Sequence, residues 1–309
     1  MNAHRVSNLL RSLLLLGAMA GLLAAVGWLL GGPTGVLWTF GAALLSLWLA
    51  PSPLPAQLLR AQGARPLHPA EAPGLHASVA ELARRAKLGS APPIYLVPAP
   101  VPQAFATGSG TETAIGVTPA LLRLLHPREV LAVLAHEVSH LRRRDIRMMR
   151  VAAVVRSLTR TMAFVGLLLL AFNLPLLAAT GQGVPWLAVA LLLGAPWLVN
   201  LLGLALSRSR ELDADLGAVA LTGQPLVLAS ALLKLERASR GPWWMAVLTA
   251  ELPSYLLTHP RTEERVARLR ELARDERSSA GPPPPRSTPR GGTRRVVIPE
   301  WRRAPRPVW

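Results

Sequence analysis

No Asp, Glu, Lys or Arg occurs between Ser12 and Leu59, nor between Thr161 and Ser207. Each stretch is close to twice the roughly 20 residues that an α-helix needs to cross the hydrocarbon core of a bilayer. Each also breaks near its middle, at Gly31-Gly32-Pro33-Thr34-Gly35 and at Thr180-Gly181-Gln182-Gly183-Val184-Pro185. The pattern predicts four transmembrane helices in two helical hairpins. A cleaved secretory signal is the competing reading of the first stretch, since Arg5 and Arg11 precede an apolar run and Ala18-Met19-Ala20 resembles a cleavage site. The run continues to Leu30 and a second apolar segment follows at once, too long for a signal core. A pair of buried helices in a soluble protein is equally disfavoured, because a soluble core rarely goes so far without one charge.

The formal net charge of +17 makes sense only by location. Two arginines precede the first hairpin, residues 60–160 carry a net +8, residues 208–276 balance, and residues 277–309 carry +7. Neither hairpin tip is charged. Basic residues favour the cytoplasmic side, which places both termini and the segments between hairpins in the cytoplasm. Nucleic-acid binding would also suit so basic a chain, but membrane flanks facing anionic lipid explain the excess more simply. The expected partners therefore include the lipid bilayer and exclude nucleic acid. Cysteine is absent, so disulfides and thiolate metal ligands are excluded.

Five segments follow: a transmembrane hairpin over 1–59, a first cytoplasmic part over 60–160, a second hairpin over 161–207, a second cytoplasmic part over 208–276, and an Arg/Pro-rich tail over 277–309 expected to be disordered. The fold is predicted to be mainly α with a small β-sheet. Residues 71–88 read as an amphipathic helix with Leu75, Val79, Leu82 and Ala86 on one stripe, ended by Gly89. Strand-like pieces lie at 94–97, 103–107 and 113–117, the last two joined through Gly108-Ser109-Gly110-Thr111-Glu112. Helices are predicted from Pro119, from Pro127, over 208–221, over 225–238 and over 261–275.

The chemistry is announced by His136-Glu137-Val138-Ser139-His140, an H-E-x-x-H set in a run free of Gly and Pro from Arg128 to Arg156. On a helix the two histidines project from one face, one turn apart, so both imidazoles reach a single metal ion. Glu137 then stands beside that metal, where it can take a proton from an activated water. A catalytic zinc needs a third protein ligand and an open position. The spare imidazoles are His4, His68, His76, His126 and His259, none of them within the motif helix. A better source is Arg210-Glu211-Leu212-Asp213-Ala214-Asp215. Glu211 and Asp215 share a face, so one can ligate zinc while the other bonds a ligand histidine. Spacing alone leaves Glu211, Asp213 and Asp215 open as the third ligand.

Four segments carry a resemblance: Ala135-His136-Glu137-Val138-Ser139-His140; Arg210 to Asp215 followed by Gly217 to Gly223; Ala104-Phe105-Ala106-Thr107-Gly108; and Thr258-His259-Pro260 with Arg265. The chain resembles the HtpX family of membrane-embedded zinc endopeptidases, relatives of the CAAX prenyl proteases, from about Leu9 to Asp275. The resemblance implies a gluzincin-type domain in which His136, His140 and Glu211 hold one zinc per chain and Glu137 is the general base. It makes Asp215 the carboxylate behind a ligand histidine, braced by Arg265. His259 and Tyr255 become the candidates for stabilising the oxyanion. Two departures stand out: Gln103 where the family has Asn, and Leu141-Arg142-Arg143-Arg144-Asp145 where the family has an Asn-Gly-Asp-like segment. The backbone of Gln103, Ala104, Phe105, Ala106 and Thr107 is expected to offer a strand edge to an extended substrate.

The function so implied is hydrolysis of peptide bonds in protein or peptide substrates, chiefly damaged or misfolded membrane proteins. The alternatives are CAAX-type processing, which calls for more membrane helices, and a silent membrane scaffold, against which an intact Glu137 and ligand set argue.

Overall fold

The computed structural model describes residues 2–49, 55–109, 112–143, 145–181, 184–239 and 262–279. The described residues fall into two compact units, one formed by α1, α6 and α7 as far as Asp213, the other by the elements between α1 and α6 and by the described residues from Ala214 onward. Here α1 is Asn2–Leu49, α6 is Asp145–Ala179 and α7 is Trp186–Thr222.

Among the described residues, three helices, within Leu10–Trp48, Arg147–Pro175 and Trp186–Thr222, are long and apolar enough to cross a membrane by length and composition. The sequence had predicted four. The difference lies in α1, which runs through both of the first two expected segments as one element. Its backbone leaves the helical region only at Gly31 (φ −155°, ψ 21°) and Gly32 (φ 58°, ψ −145°). A break of two residues, the second in a left-handed conformation that glycine adopts at little cost, replaces the loop that the Gly-Pro-Gly run suggested. The two halves of α1 touch: a Cβ on Gly27 would lie 2.5 Å from Thr39 Oγ1, and one on Gly35 would overlap the Gly27 carbonyl oxygen. In a straight helix these glycines would stand about 12 Å apart along the axis.

The apolar core of this unit joins Met19 and Leu23 of α1 to Ala152 and Val155 of α6 and to Val199 and Leu206 of α7. A second cluster joins Val26, Ala163, Leu192 and Ala195. The opposite faces are left bare: Trp38, Trp48, Phe172 and Leu187 are all more than 70% exposed, as lipid-facing side chains would be. The helix expected over 208–221 is no separate element. It continues the preceding membrane helix without interruption, because no residue between Pro196 and Thr222 forces a break.

The second unit is α2 (Pro55–Ala61), β1 (Arg65–Pro66), α3 (Pro73–Arg85), β2 (Ile94–Leu96), β3 (Ala104–Ser109), β4 (Glu112–Val117), α4 (Pro119–Leu124), α5 (Pro127–Arg143), the end of α7, α8 (Pro225–Ser239) and α9 (Thr262–Ser279). Its sheet is ordered β1-β2-β4-β3. β2 runs parallel to β4, and β3 pairs antiparallel with β4 in the register Phe105↔Gly116 and Ala106↔Ile115. Gly116 is required there, since a Cβ would sit 2.7 Å from the Phe105 ring that lies across it. The short β1 was not foreseen; two residues are too few to leave a period in the sequence. Thr118 caps α4 by accepting from the Leu121 N–H and also bonds Gln103 on both sides, donating to its carbonyl and accepting from its N–H. One side chain thus fixes where β3 begins relative to the helices that follow the sheet.

Candidate metal centre

α5 carries the motif. Its apolar residues Val130, Val133, Leu134 and Val138 are buried, which turns His136 inward and leaves His140 half-buried one turn on. The start of this helix is anchored. Glu129 accepts from Ser230 Oγ and Lys234 Nζ of α8, both at 2.7 Å, and from the His126 N–H at 2.8 Å. Burial works to raise the pKa of Glu129, but the hydrogen bonds and charge of Lys234, with those from His126 and Ser230, outweigh it and hold the carboxyl below its usual value. This anchor was not anticipated from sequence. Its only trace is an acid in the first turn of α5 and a Ser/Lys pair four apart on α8.

The imidazoles converge. His136 Nε2 and His140 Nε2 stand 3.2 Å apart, and one ligand atom from each of His136, His140 and Glu211 lies within 4.8 Å of the others. Two nitrogens bound tetrahedrally to zinc at about 2.05 Å would be separated by about 3.3 Å, so the spacing suits such an ion. The donor set of two imidazoles and one carboxylate, with no thiolate, is that of a catalytic zinc site. Of the three acids that spacing left open, Glu211 belongs to this cluster; Asp213 faces Arg210 at 3.3 Å instead.

Asp215, one turn beyond Glu211 on α7, takes the place behind His136. Its Oδ1 is 2.9 Å from His136 Nδ1, which favours the tautomer with its proton on Nδ1 and its lone pair on Nε2, the form that ligates a metal. Arg265 of α9 grips the same carboxylate in a two-pronged pair, Nε and Nη2 each donating at 2.7 Å, and its Nη2 lies 3.4 Å from His136 Nδ1. All three side chains are buried. α7 and α5 approach closely just beyond this point: a Cβ at Gly217 would overlap the Ser139 hydroxyl, so only glycine permits the crossing that brings Asp215 to His136.

Glu137 points to the sheet. Its Oε2 accepts the Ala106 N–H at 2.9 Å. Among the described strands, β3 lies at the edge of the sheet. Gln103 is bonded towards the Thr118 side, and Ala106 donates away from β4, so alternate N–H and C=O groups of the strand face outward beside the base. The sequence located the strand and the acid; their contact, 31 residues apart, left no signal in it.

A second buried cluster stands at Arg210, next to Glu211. Its Nη2 donates to Ser12 Oγ of α1 at 2.5 Å, and its guanidinium also faces Asp145 of α6 at 3.4 Å. A serine at the start of the charge-free run is the only trace of this in the sequence. Tyr255 and His259, the expected oxyanion donors, lie outside the described residues.

The sequence profile of peptidase family M48 matches residues 69–273. The curated "Protease HtpX homolog" of Sulfurihydrogenibium sp. (strain YO3AOP1) is 35% identical over 295 residues, covering 87% of this chain and 97% of that protein. The protein of the same name from Pyrococcus furiosus is 35% identical over 281 residues, covering 85% and 95%. Among solved structures, S. mikatae Ste24p aligns with a TM-score of 0.44 at 20% identity, over 87% of this chain and 66% of the other, just under two thirds of its length.

Proposed function

Since the chain belongs to peptidase family M48, and is by that membership a metalloendopeptidase, we propose that it is a membrane-embedded zinc enzyme that cleaves unfolded or damaged membrane proteins on the cytoplasmic side of a bacterial inner membrane. The observation that carries this reading is the convergence of His136, His140 and Glu211 ligand atoms beside a helix-borne acid.

In this reading His136, His140 and Glu211 hold one zinc, which when bound supplies a Lewis acid that brings water acidity towards neutrality. Glu137 takes the proton from the attacking water at its carboxylate and returns it to the leaving amine nitrogen. Asp215 fixes the tautomer and ring plane of His136, and Arg265 fixes Asp215. His259 and Tyr255 remain the residues proposed to steady the oxyanion. The scaffold alternative is set aside because Glu137 and the ligand candidates His136, His140 and Glu211 are all intact. α1 is proposed to cross the bilayer twice, folded at Gly31-Gly32, and α6 and α7 once each, so that the +8 segment and both termini stay cytoplasmic. Digestion of casein by the purified full chain tests the activity: cleavage should stop on chelation and return with added zinc, and cleavage indifferent to a strong chelator would contradict it.

Gln103 to Thr107 is proposed to bind substrate through its backbone. An extended peptide added to the outer edge of β3 meets main-chain donors and acceptors whatever its own side chains are, which suits an enzyme with varied, partly unfolded clients. Ala104→Pro removes an outward N–H of β3 without touching a zinc ligand or the Ala106 N–H that Glu137 accepts. The variant should keep its zinc yet cleave unfolded substrates at least about tenfold more slowly. Wild-type cleavage by a folded Ala104→Pro protein would refute the edge-strand reading.

A further inference from the structure

Arg156 and Arg160 are successive turns of α6, and no Asp or Glu occurs between Asp145 and Glu211 to neutralise them. The other arginines of this helix are accounted for differently: Arg150 donates to the Leu47 carbonyl at 2.6 Å, and Arg147 is exposed. Arg156 is half-buried. Its side chain lies across Gly203 of α7, with Cδ 3.3 Å and Nη1 3.6 Å from where a Cβ of that glycine would be. Among the described residues, no hydrogen bond or ion pair joins Arg156 or Arg160 to an acceptor. Two guanidinium groups one turn apart repel each other, so an anion seated between them relieves both the repulsion and the unmet donors.

The depth of the pair says which anion. Counted back from Ala179, the end of α6, Arg160 lies about 29 Å along the helix and Arg156 about 35 Å, against a hydrocarbon core of about 30 Å. With Ala179 at the far boundary, Arg160 stands at the near edge of the core and Arg156 about 5 Å beyond it, both within side-chain reach of the phospholipid phosphates. The next turns of the same helix side, Phe164 and Leu168, are 67% and 45% exposed, a bare apolar track running from the arginines towards the bilayer centre. A phosphate with acyl chains attached fits this combination; a free phosphate uses only half of it.

We propose that Arg156 and Arg160, in the groove opened by Gly203, bind the phosphate of an anionic phospholipid in the cytoplasmic leaflet. The site rests on the reading of α6 as a membrane crossing. Arginine forks are well matched to phosphate oxygens, and basic pockets between membrane helices on the cytoplasmic side are a recurrent way of holding anionic headgroups.

Native mass spectrometry of the full chain in detergent, titrated with phosphatidylglycerol and with phosphatidylcholine of the same acyl chains, tests this. The wild-type protein should retain phosphatidylglycerol about tenfold more tightly. Arg156→Gln with Arg160→Gln should reduce that preference to parity, and Gly203→Leu, which fills the groove and displaces the Arg156 side chain, should do the same while leaving both charges. Arg147→Gln should change nothing. An undiminished preference in the first two variants, or an equal loss in Arg147→Gln, overturns the site, as does displacement of the lipid by millimolar inorganic phosphate. Zinc content of each preparation reports that it is folded. Cysteines placed at Gly32 and Gln182 should be labelled from outside the cell, and one at Ser109 only after the membrane is opened. Labelling of Gln182 on the Ser109 side would overturn the crossing itself, whereas lost lipid preference with correct labelling overturns the lipid site alone.

Discussion

Glu137→Gln should retain about one zinc per chain and lose proteolysis by several orders of magnitude, beyond the roughly 10²–10⁴-fold of a single proton-transfer contribution. The amide is close to the carboxylate in shape, and its oxygen can still accept the Ala106 N–H that Glu137 Oε2 now accepts at 2.9 Å. Position is therefore kept and only the ability to take a proton is removed. The loss exceeds that of one acid–base step because Glu137 is assigned both proton transfers, first from water and then to the leaving nitrogen. Metal content measured beside the rate separates this from trivial loss of the site. Proteolysis within a few-fold of wild type would end the assignment of Glu137 as the base.

Arg265→Met should be the most damaging substitution to stability among the residues around the metal centre. The guanidinium makes two 2.7 Å bonds to Asp215, and both side chains are about 3% exposed. Removing one partner leaves a buried carboxylate uncompensated, at a cost of roughly 3–5 kcal/mol. That is a large part of the 5–15 kcal/mol that holds a typical protein folded. Zinc affinity should fall too, since Asp215 would no longer be held against His136 Nδ1. Combining Arg265→Met with Asp215→Asn removes both charges and should recover much of the stability but not the affinity. Denaturant unfolding in detergent, with zinc binding followed in parallel, measures both effects. An Arg265→Met protein as stable as wild type would mean that the pair is not the clamp its geometry suggests.

What could be read from the sequence follows the range over which each determinant acts. The motif helix is local: His136 and His140 are one turn apart on any helix, and Pro127 stands at the first position of α5. The membrane helices were legible because the absence of charge is a property of composition. Their number was not, because Gly31 and Gly32 reverse the backbone in two residues where a longer break was expected. The continuity of α7 was hidden for a related reason. Charge returns abruptly at Arg208, which looks like the start of a new element, while the backbone has no cause to stop. Contacts between distant residues left least trace. The Ser12–Arg210 bond spans 198 positions and the Glu129–Lys234 bond 105, and nothing local marks any of these four as a partner of another. Glu211 is intermediate. Spacing narrowed the third ligand to three acids, family resemblance favoured one, and its carboxylate is the one gathered with the two imidazoles.

The central claim is that His136, His140 and Glu211 together hold one catalytic zinc. Zinc bound per chain, measured on the purified full-length wild type and on Glu211→Ala, tests it most directly. The account predicts about one zinc for the wild type and an affinity lowered at least about 10–100-fold in the variant, the range known for disturbing even the groups behind a ligand. Wild-type zinc affinity in a folded Glu211→Ala protein, or a wild type that binds no zinc, would contradict it.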